Sequence, residues 1–286
     1  MGESGSGKST LAYTILRLIP SNARIDSGKI TLQNRSVLEL SEKEMRSIRG
    51  REVSMVFQDP GTALNPVFRI KDQVLRVIKE NIGLSGIPAR QHAMRLMAEV
   101  ELPDPAEVLE AFPYELSGGM QQRVMIAMAL ASNPKLIVAD EPTSAVDATI
   151  QTQILSLLRK LRTEREFSMI IITHSIAVAA EVCDRIAVMY AGEIVELGEA
   201  KKILEYPKHP YTEGLVKCIP KPRAARSPKV DLPTVPGQVP DLTSPPAGCR
   251  FNPRCPYAME ACRKERPGFW KAGDSKALCH LYREGG

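Results

Sequence analysis

Residues 2–10 read Gly2-Glu3-Ser4-Gly5-Ser6-Gly7-Lys8-Ser9-Thr10. They fit the pattern G-x-x-x-x-G-K-[ST], in which glycines let backbone N–H groups turn inward around phosphate oxygens. In such a loop Lys8 reaches the β- and γ-phosphates of a nucleotide, and the Ser9 hydroxyl binds Mg²⁺. The apolar helix predicted from about Ser9 to Leu18 directs its positive end toward the same anion. All nine loop residues are therefore candidate nucleotide contacts, and a disordered Gly/Ser-rich segment is the alternative.

Short apolar runs alternate with helical patterns through residues 1–205. The predicted strands are Val53–Phe57, Leu136–Ala139, Met169–Thr173 and Arg185–Met189. Amphipathic stretches such as Ala148–Arg162 lie between them. This alternation predicts an α/β fold with a largely parallel sheet. Residues 66–115 lack strand patterns, so we expect a helical subdomain at about 66–132, inserted in the α/β core.

Two acidic residues, Asp140 and Glu141, follow the apolar run Leu136–Ala139. A strand that ends in Asp places a carboxylate at the carboxyl edge of a parallel sheet, where ligands bind. Asp140 is a candidate for the Mg²⁺ shell. Glu141 is a candidate to orient or deprotonate an attacking water molecule.

A second helix N-terminus suited to an anion is predicted after Leu116. Its residues are Ser117, Gly118, Gly119, Met120 and Gln121. Ser117 is a good N-cap, and the glycines leave backbone N–H groups exposed. The chain thus has two phosphate-binding helix ends but one triphosphate loop. We therefore expect two chains to face each other, each completing the nucleotide site of the other.

Together these residues resemble the ATP-binding cassette (ABC) family. Residues 117–121 match its signature motif, with Met120 where many members have Gln. Gln58 matches the Q-loop glutamine, which in the family contacts Mg²⁺ and couples to the transmembrane partner. Ser144-Ala145-Val146-Asp147 matches the D-loop, and His174 matches the switch histidine that contacts the γ-phosphate. The resemblance covers about residues 1–205 and implies an ATPase with Glu141, His174 and Gln58 as catalytic residues and Mg²⁺ at Ser9, Gln58 and Asp140.

The remaining segment, 206–286, resembles the C-terminal extension of oligopeptide and dipeptide importer ATPases. The segments that carry this resemblance are His209–Thr212 and Cys249–Pro256, together with Phe112–Glu115 before the signature. The resemblance implies a peripheral protein on the cytoplasmic face of the membrane. Its implied partners are a second ATPase subunit in a heterodimer, two transmembrane permease subunits and an extracytoplasmic solute-binding protein. The resemblance implies that ATP hydrolysis drives uptake of dipeptides and oligopeptides, with nickel or another small solute as the alternative cargo.

Four cysteines cluster in this extension: Cys249, Cys255, Cys262 and Cys279. Disulfides are disfavoured in a cytosolic enzyme. Structural zinc usually has tighter pairs of ligands, and an iron–sulfur cluster tolerates varied spacing, so the spacing alone leaves both open. The family resemblance implies a [4Fe–4S] cluster, with zinc as the alternative and four reduced structural thiols as the third possibility.

Charge and composition bear on the rival functions. The net charge is +5, and residues 201–286 carry 16 Lys and Arg against 8 Asp and Glu. A basic tail is the only support for a soluble cassette ATPase that acts on ribosomes or DNA, and we expect no nucleic acid partner. No apolar run approaches the roughly 18–20 residues of a membrane-spanning helix.

A phosphate loop normally follows a strand that anchors it, and here only Met1 precedes Gly2. We therefore expect a fragment that lacks an N-terminal β-region, with the nucleotide affinity of the chain alone in question. A non-catalytic, nucleotide-gated scaffold is the rival interpretation.

Overall fold

The computed structural model describes residues 1–144, 146–219 and 234–283. It divides into two compact units, which we call the central unit (residues 9–172) and the terminal unit (residues 1–8 together with the described residues from 173 onward). Ala145 of the predicted D-loop lies outside the described residues. So do residues 220–233 of the Pro-rich segment 220–246, for which the sequence predicts an extended connector.

A three-stranded parallel sheet forms the core of the central unit. Its order is β3-β4-β5, with β3 Val53–Val56, β4 Leu136–Asp140 and β5 Ser168–Ile172. In the middle strand, Val138 pairs with Met55 on one side and Ile170 on the other. All of β3 and most of β4 are buried, which explains why these strands are continuous apolar runs. The predicted parallel sheet is confirmed for these three strands.

Between β3 and β4 every regular element is helical. The α-helices are α3 Pro60–Ala63, α4 Ile70–Ile82, α5 Gly86–Glu99, α6 Pro105–Glu110 and α7 Gly118–Leu130. Helix α4 buries Ile70, Val74 and Ile78, one on each turn, against a core that it shares with α5 and α7. It ends at Gly83, whose φ of 76° is left-handed.

Two further helices and a small hairpin precede β3, and one long helix follows β4. They are α1 Lys8–Ile15, β1 Thr31–Leu32, β2 Arg35–Ser36, α2 Glu42–Ile48 and α8 Ala148–Arg165. Helix α1 packs Ala12 on the sheet, in one cluster with Val53 and Val138. It ends before the predicted Leu18, because Arg17 adopts a left-handed φ of 51° and the Leu18 N–H donates back to the Tyr13 carbonyl.

The terminal unit contains an antiparallel sheet of order β6-β7-β9-β8. Its strands are β6 Arg185–Tyr190, β7 Glu193–Glu199, β8 Phe269–Ala272 and β9 Ser275–Leu278. The predicted strand Arg185–Met189 is therefore present, and it pairs antiparallel with β7. The reason is local: Ala191 and Gly192 both have positive φ, and such a two-residue turn joins antiparallel strands.

Short helices complete the terminal unit. They are α9 Ile176–Val182, α10 Ala200–Glu205, α11 Pro210–Lys217 and α12 Glu260–Lys264. Three aromatic rings, those of Tyr190, Tyr211 and Phe251, contact one another with centroids 4.6–5.5 Å apart. Of the helices in the described part of the chain, none combines the length and the apolarity needed to cross a membrane.

Candidate functional site

The first part of the phosphate loop lies against strand β6 of the terminal unit. The Met189 N–H donates to the Met1 carbonyl at 2.7 Å, and the Gly192 N–H donates to the Ser6 carbonyl at 3.1 Å. A Cβ atom at Gly2 would stand 2.0 Å from the Met189 carbonyl oxygen, so only glycine fits there. The loop therefore has an anchor in this chain, on β6 and the turn that follows it.

Lys8 closes this loop. Its buried ammonium donates to the carbonyl oxygens of Gly2, at 2.9 Å, and Glu3, at 2.8 Å. Lys8 lies at the end of the loop and bonds to carbonyl oxygens at its start. Its positive charge therefore stays beside the loop N–H groups. That arrangement suits a polyphosphate anion.

Two of the predicted Mg²⁺ ligands, Ser9 and Asp140, are adjacent in the central unit. The Ser9 hydroxyl donates to Asp140 Oδ1 at 3.1 Å. Asp140 is the last residue of β4, the middle strand of the parallel sheet, and only 1% of its surface is exposed. A hydroxyl and a carboxylate are hard oxygen donors of the kind that Mg²⁺ binds together with substrate phosphates. Ser9 of the phosphate loop and the last residue of β4 thus meet at the carboxyl edge of the parallel sheet.

A second pair lies directly beside Asp140. The Gln58 side-chain amide donates to Glu141 Oε2 at 3.1 Å. Glu141 has a φ of 43°, and its N–H donates to the Ile172 carbonyl at the end of β5 at 2.9 Å. Residues at or just after the carboxyl ends of β3 and β5 therefore hold the backbone and the side chain of Glu141 at the sheet edge. Of the predicted site, the structure brings together Ser9, Asp140, Gln58 and Glu141.

The signature residues form a separate part of the central unit, at the start of α7. The exposed Ser117 caps the helix by accepting a hydrogen bond from the Met120 N–H at 3.3 Å. Gly118 is also exposed, whereas the Gln121 amide donates to the carbonyls of Pro113 and Leu116. The result is an open helix N-terminus, as the sequence predicts.

Asp147 caps a second helix. Its Oδ1 accepts hydrogen bonds from the N–H groups of Thr149, at 2.9 Å, and Ile150, at 3.0 Å, at the start of α8. This contact gives Asp147 a structural role as the N-cap of α8, in addition to its predicted place in the D-loop.

The predicted switch histidine belongs to the terminal unit. His174 is exposed in the short link before α9. Next to it, Ser175 caps α9 by accepting from the Val178 N–H, and the Ser175 N–H donates to the Thr173 hydroxyl at 2.9 Å. The link is thus held on both sides of His174, while its imidazole is at the surface.

Residues of the C-terminal segment also contact the phosphate loop, which the sequence did not predict. The Arg254 guanidinium donates to both carboxylate oxygens of Glu3, at 2.9 and 3.1 Å. The Glu3 N–H donates to the Tyr211 hydroxyl at 2.9 Å. The only signal in the sequence was that Tyr211 and Arg254 lie in the two segments that resemble the importer extension.

The segment His209–Thr212, without a chemical role in the sequence, has a structural one. His209 is buried, and burial lowers its pKa to about 3, so the ring is neutral. Its Nδ1 accepts the Tyr211 N–H at 3.1 Å and caps α11. The buried Glu196 carboxylate accepts from the N–H groups of Lys208 and His209, both at 2.8 Å. These bonds fix the position of the Tyr211 ring.

The four cysteines of the extension surround one enclosed cavity. It is lined by Cys249, Cys255, Cys262 and Cys279, with His209 and His280 beside them. None of the four forms a disulfide, and burial raises the pKa of the Cys249 and Cys279 thiols to about 11, with a smaller effect from the neighbouring thiols. Among the described residues, no group of three or more His, Cys, Asp or Glu side chains is arranged to hold a metal ion.

Comparison with known proteins identifies the family of the chain. The ABC transporter family pattern matches residues 1–144, and the pattern described as "Oligopeptide/dipeptide transporter, C-terminal region" matches residues 195–262. The dipeptide transport ATP-binding protein DppD of Escherichia coli (strain K12) is 44% identical over 281 residues, 98% of this chain and 85% of that protein. The oligopeptide transport ATP-binding protein OppD of Salmonella typhimurium is 43% identical over 267 residues, 93% of this chain and 78% of that protein.

A solved structure shows the same fold. The dimeric structure of an ATP-binding cassette in a post-hydrolysis state, bound to ADP and phosphate, superposes with a TM-score of 0.61. It is 34% identical in sequence, and the match covers 70% of this chain and 83% of that one. With the loop, the sheet edge and the helix N-terminus all present, the chain belongs to the ABC transporter family and is an ATPase of the ATP-binding cassette fold.

Proposed function

We propose that this chain hydrolyses ATP to drive the import of dipeptides and oligopeptides across the cytoplasmic membrane. The observation that carries the ATPase part is the pair of contacts at the end of β4, Ser9 to Asp140 and Gln58 to Glu141, at 3.1 Å each. The cargo rests on the match of residues 195–262 and on relatives named for dipeptide and oligopeptide transport.

The phosphate end of ATP would bind the loop of residues 2–10. Loop N–H groups and Lys8 would contact the phosphates, while Ser9, Asp140 and Gln58 would hold Mg²⁺. When bound, Mg²⁺ neutralises phosphate charge and orients the γ-phosphate. The Ser9 hydroxyl already donates to Asp140, so the two ligands need little rearrangement for this role.

Hydrolysis needs a group that accepts a proton from water. In our proposal Glu141 orients or deprotonates the attacking water, and His174 contacts the γ-phosphate. The Gln58 amide supports this role because its hydrogen bond with Glu141 limits the carboxylate to one region of the sheet edge. General-base assistance of this kind accelerates reactions by about 10²–10⁴-fold.

The complete site would need two chains. The open N-terminus of α7, Ser117–Gln121, would face the nucleotide of a second, homologous ATPase subunit, with Asp147 near the interface. A heterodimer of this kind would dock beneath two permease subunits on the cytoplasmic face of the membrane, and a solute-binding protein would deliver the cargo. Support comes from the exposure of Ser117 and from the dimeric state of the similar cassette structure.

We also propose that the four cysteines bind a [4Fe–4S] cluster, with zinc as the alternative. The chemistry of the donors supports this proposal, because four thiols line one enclosed cavity and cluster irons are held by Cys thiolates. Cys249 and Cys255 flank a short 3₁₀ turn, Cys262 belongs to α12, and Cys279 follows β9. A bound cluster would therefore cross-link separate parts of the extension.

Reconstitution into liposomes with the permease subunits, the second ATPase subunit and the binding protein tests the transport function. We expect ATP-dependent uptake of radiolabelled dipeptide, and loss of that uptake in Lys8→Ala, because the phosphates lose their buried cation. Lys160→Ala, which removes an exposed lysine on α8, is the matched control. Uptake of nickel without uptake of peptide would replace the proposed cargo, and equal uptake by the Lys8 variant would refute the ATPase role of the loop.

A further inference from the structure

Glu3 is the one acidic residue of the phosphate loop, and both of its carboxylate oxygens are bonded by the C-terminal segment. Arg254 Nη1 lies 2.9 Å from Oε2, and Nη2 lies 3.1 Å from Oε1, which is a bidentate pairing. On the backbone of the same residue, the N–H donates to the Tyr211 hydroxyl at 2.9 Å. Both the charge and the backbone of Glu3 are therefore fixed by residues more than 200 positions away.

The guanidinium of Arg254 is itself held on every side. Its Nε donates to the Pro236 carbonyl at 2.6 Å, Nη2 donates to the Val235 carbonyl at 3.2 Å, and Nη1 donates to the Tyr190 hydroxyl at 3.4 Å. With the two bonds to Glu3, these account for all five N–H groups of the side chain. Only 5% of the side chain is exposed. An arginine with so little freedom acts as a rigid partner for Glu3.

The charge of Glu3 makes this pairing relevant to ATP. A free carboxylate in a phosphate-binding loop would repel a triphosphate and compete for the loop N–H groups. Lys8 contacts the Glu3 carbonyl oxygen, so the backbone that Arg254 and Tyr211 hold also positions the Lys8 ammonium. A displacement at Glu3 would therefore disturb both the N–H groups and the cation that face the phosphates.

We propose that Arg254 and Tyr211 are positioning residues for ATP binding, which neutralise Glu3 and fix the start of the phosphate loop. This inference rests on the proposed nucleotide binding by the loop. It assigns the C-terminal extension a direct part in the nucleotide site of its own chain. The competing explanation is that the ion pair only stabilises the fold of the extension.

A double-mutant cycle separates the two explanations. The affinity of the full chain for Mg·ATP is measured by isothermal titration for wild type, R254Q, E3Q and the double variant E3Q/R254Q. We expect R254Q to weaken binding by about tenfold or more, because it leaves the Glu3 carboxylate unpaired beside the phosphates. In the E3Q background, where no carboxylate remains, we expect the same change to alter the affinity by less than about twofold.

Two further variants control for folding and for charge. R283Q removes an arginine of the same extension that pairs with Glu265 at the surface, and it should bind Mg·ATP like wild type. R254K keeps the positive charge but loses the bidentate geometry, and its affinity should fall between those of wild type and R254Q. Circular dichroism reports whether each variant is folded.

The outcomes are distinct. Equal loss of affinity on R254Q in both backgrounds would overturn the proposal, because the effect would not pass through Glu3. Wild-type affinity in R254Q would overturn it as well. Absence of Mg·ATP binding by the wild-type chain would instead refute nucleotide binding itself, and this inference with it.

Discussion

At Glu141 the backbone adopts a φ of 43°, which costs a residue with a side chain on the order of 1–3 kcal/mol. Its N–H is bonded to the end of β5 and its carboxylate to Gln58, so neighbouring strands hold the residue in this conformation. Backbone strain of this kind persists where the surrounding structure fixes the residue, and such residues cluster at functional sites. A carboxylate held at the sheet edge beside Asp140 suits the activation of water.

Glu141→Gln tests this role. We expect ATP hydrolysis by the assembled transporter to fall by about 10²–10⁴-fold, since an amide cannot accept the proton of water. ATP binding should persist, and an ATP-bound dimer should accumulate on size-exclusion chromatography. Glu164→Gln, an exposed change on α8, serves as the control. Wild-type turnover in the Glu141 variant would remove this residue from the catalytic role.

Most residues of the candidate site were predictable from the sequence, because they lie in short contiguous motifs. Lys8 and Ser9 belong to one contiguous loop, and Asp140 and Glu141 end a recognisable strand. Parallel strands then bring their carboxyl ends to one edge. The partner of Glu3 was not predictable, because a lone arginine 251 residues away has no pattern that identifies it as a contact.

At the scale of elements, two helices of the central unit begin at residues of the predicted nucleotide site. Ser117 caps α7 and Asp147 caps α8, so two residues expected at a nucleotide also stabilise the helices that carry them. The strands β3, β4 and β5 were predictable from their apolar runs. The antiparallel setting of β6 was not, because it depends on positive φ at Ala191, a residue that does not favour that conformation.

Asp147→Ala should lower the free energy of unfolding by about 1 kcal/mol, because two N–H groups at the start of α8 lose their acceptor. Urea denaturation followed by circular dichroism measures the change. Asp147→Ser retains a capping oxygen and should recover most of the loss. Equal stability of wild type and the alanine variant would show that the cap contributes nothing to folding.

At the scale of the whole molecule, the described part of the C-terminal extension consists of short helices and strands. In the described residues, β8 and β9 complete a sheet begun by β6 and β7, and the four cysteines converge from separate segments on one cavity. The spacing of the cysteines in the sequence could not reveal this cavity. Their distances in space depend on how the chain between them folds. The structure thus gathers on one cavity the four thiols that we propose to hold a cluster.

Protein purified without oxygen should contain iron and sulfide at about four atoms each per chain, with broad visible absorbance. Cys279→Ser should lose most of this iron and lower the melting temperature, since one ligand and its cross-link are removed. Cys218→Ser, outside the cavity, should retain both properties. One equivalent of zinc, with no iron or sulfide, would favour the alternative metal.

The contact between Glu3 and Arg254 has a consequence for synthesis of the protein. The loop emerges from the ribosome 251 residues before the arginine that neutralises it. Throughout that interval the nascent loop carries an unpaired carboxylate, and contacts between distant residues form late because the chain between them must first be ordered. On our proposal, a nascent chain would therefore bind ATP more weakly until Arg254 has been made and has paired with Glu3.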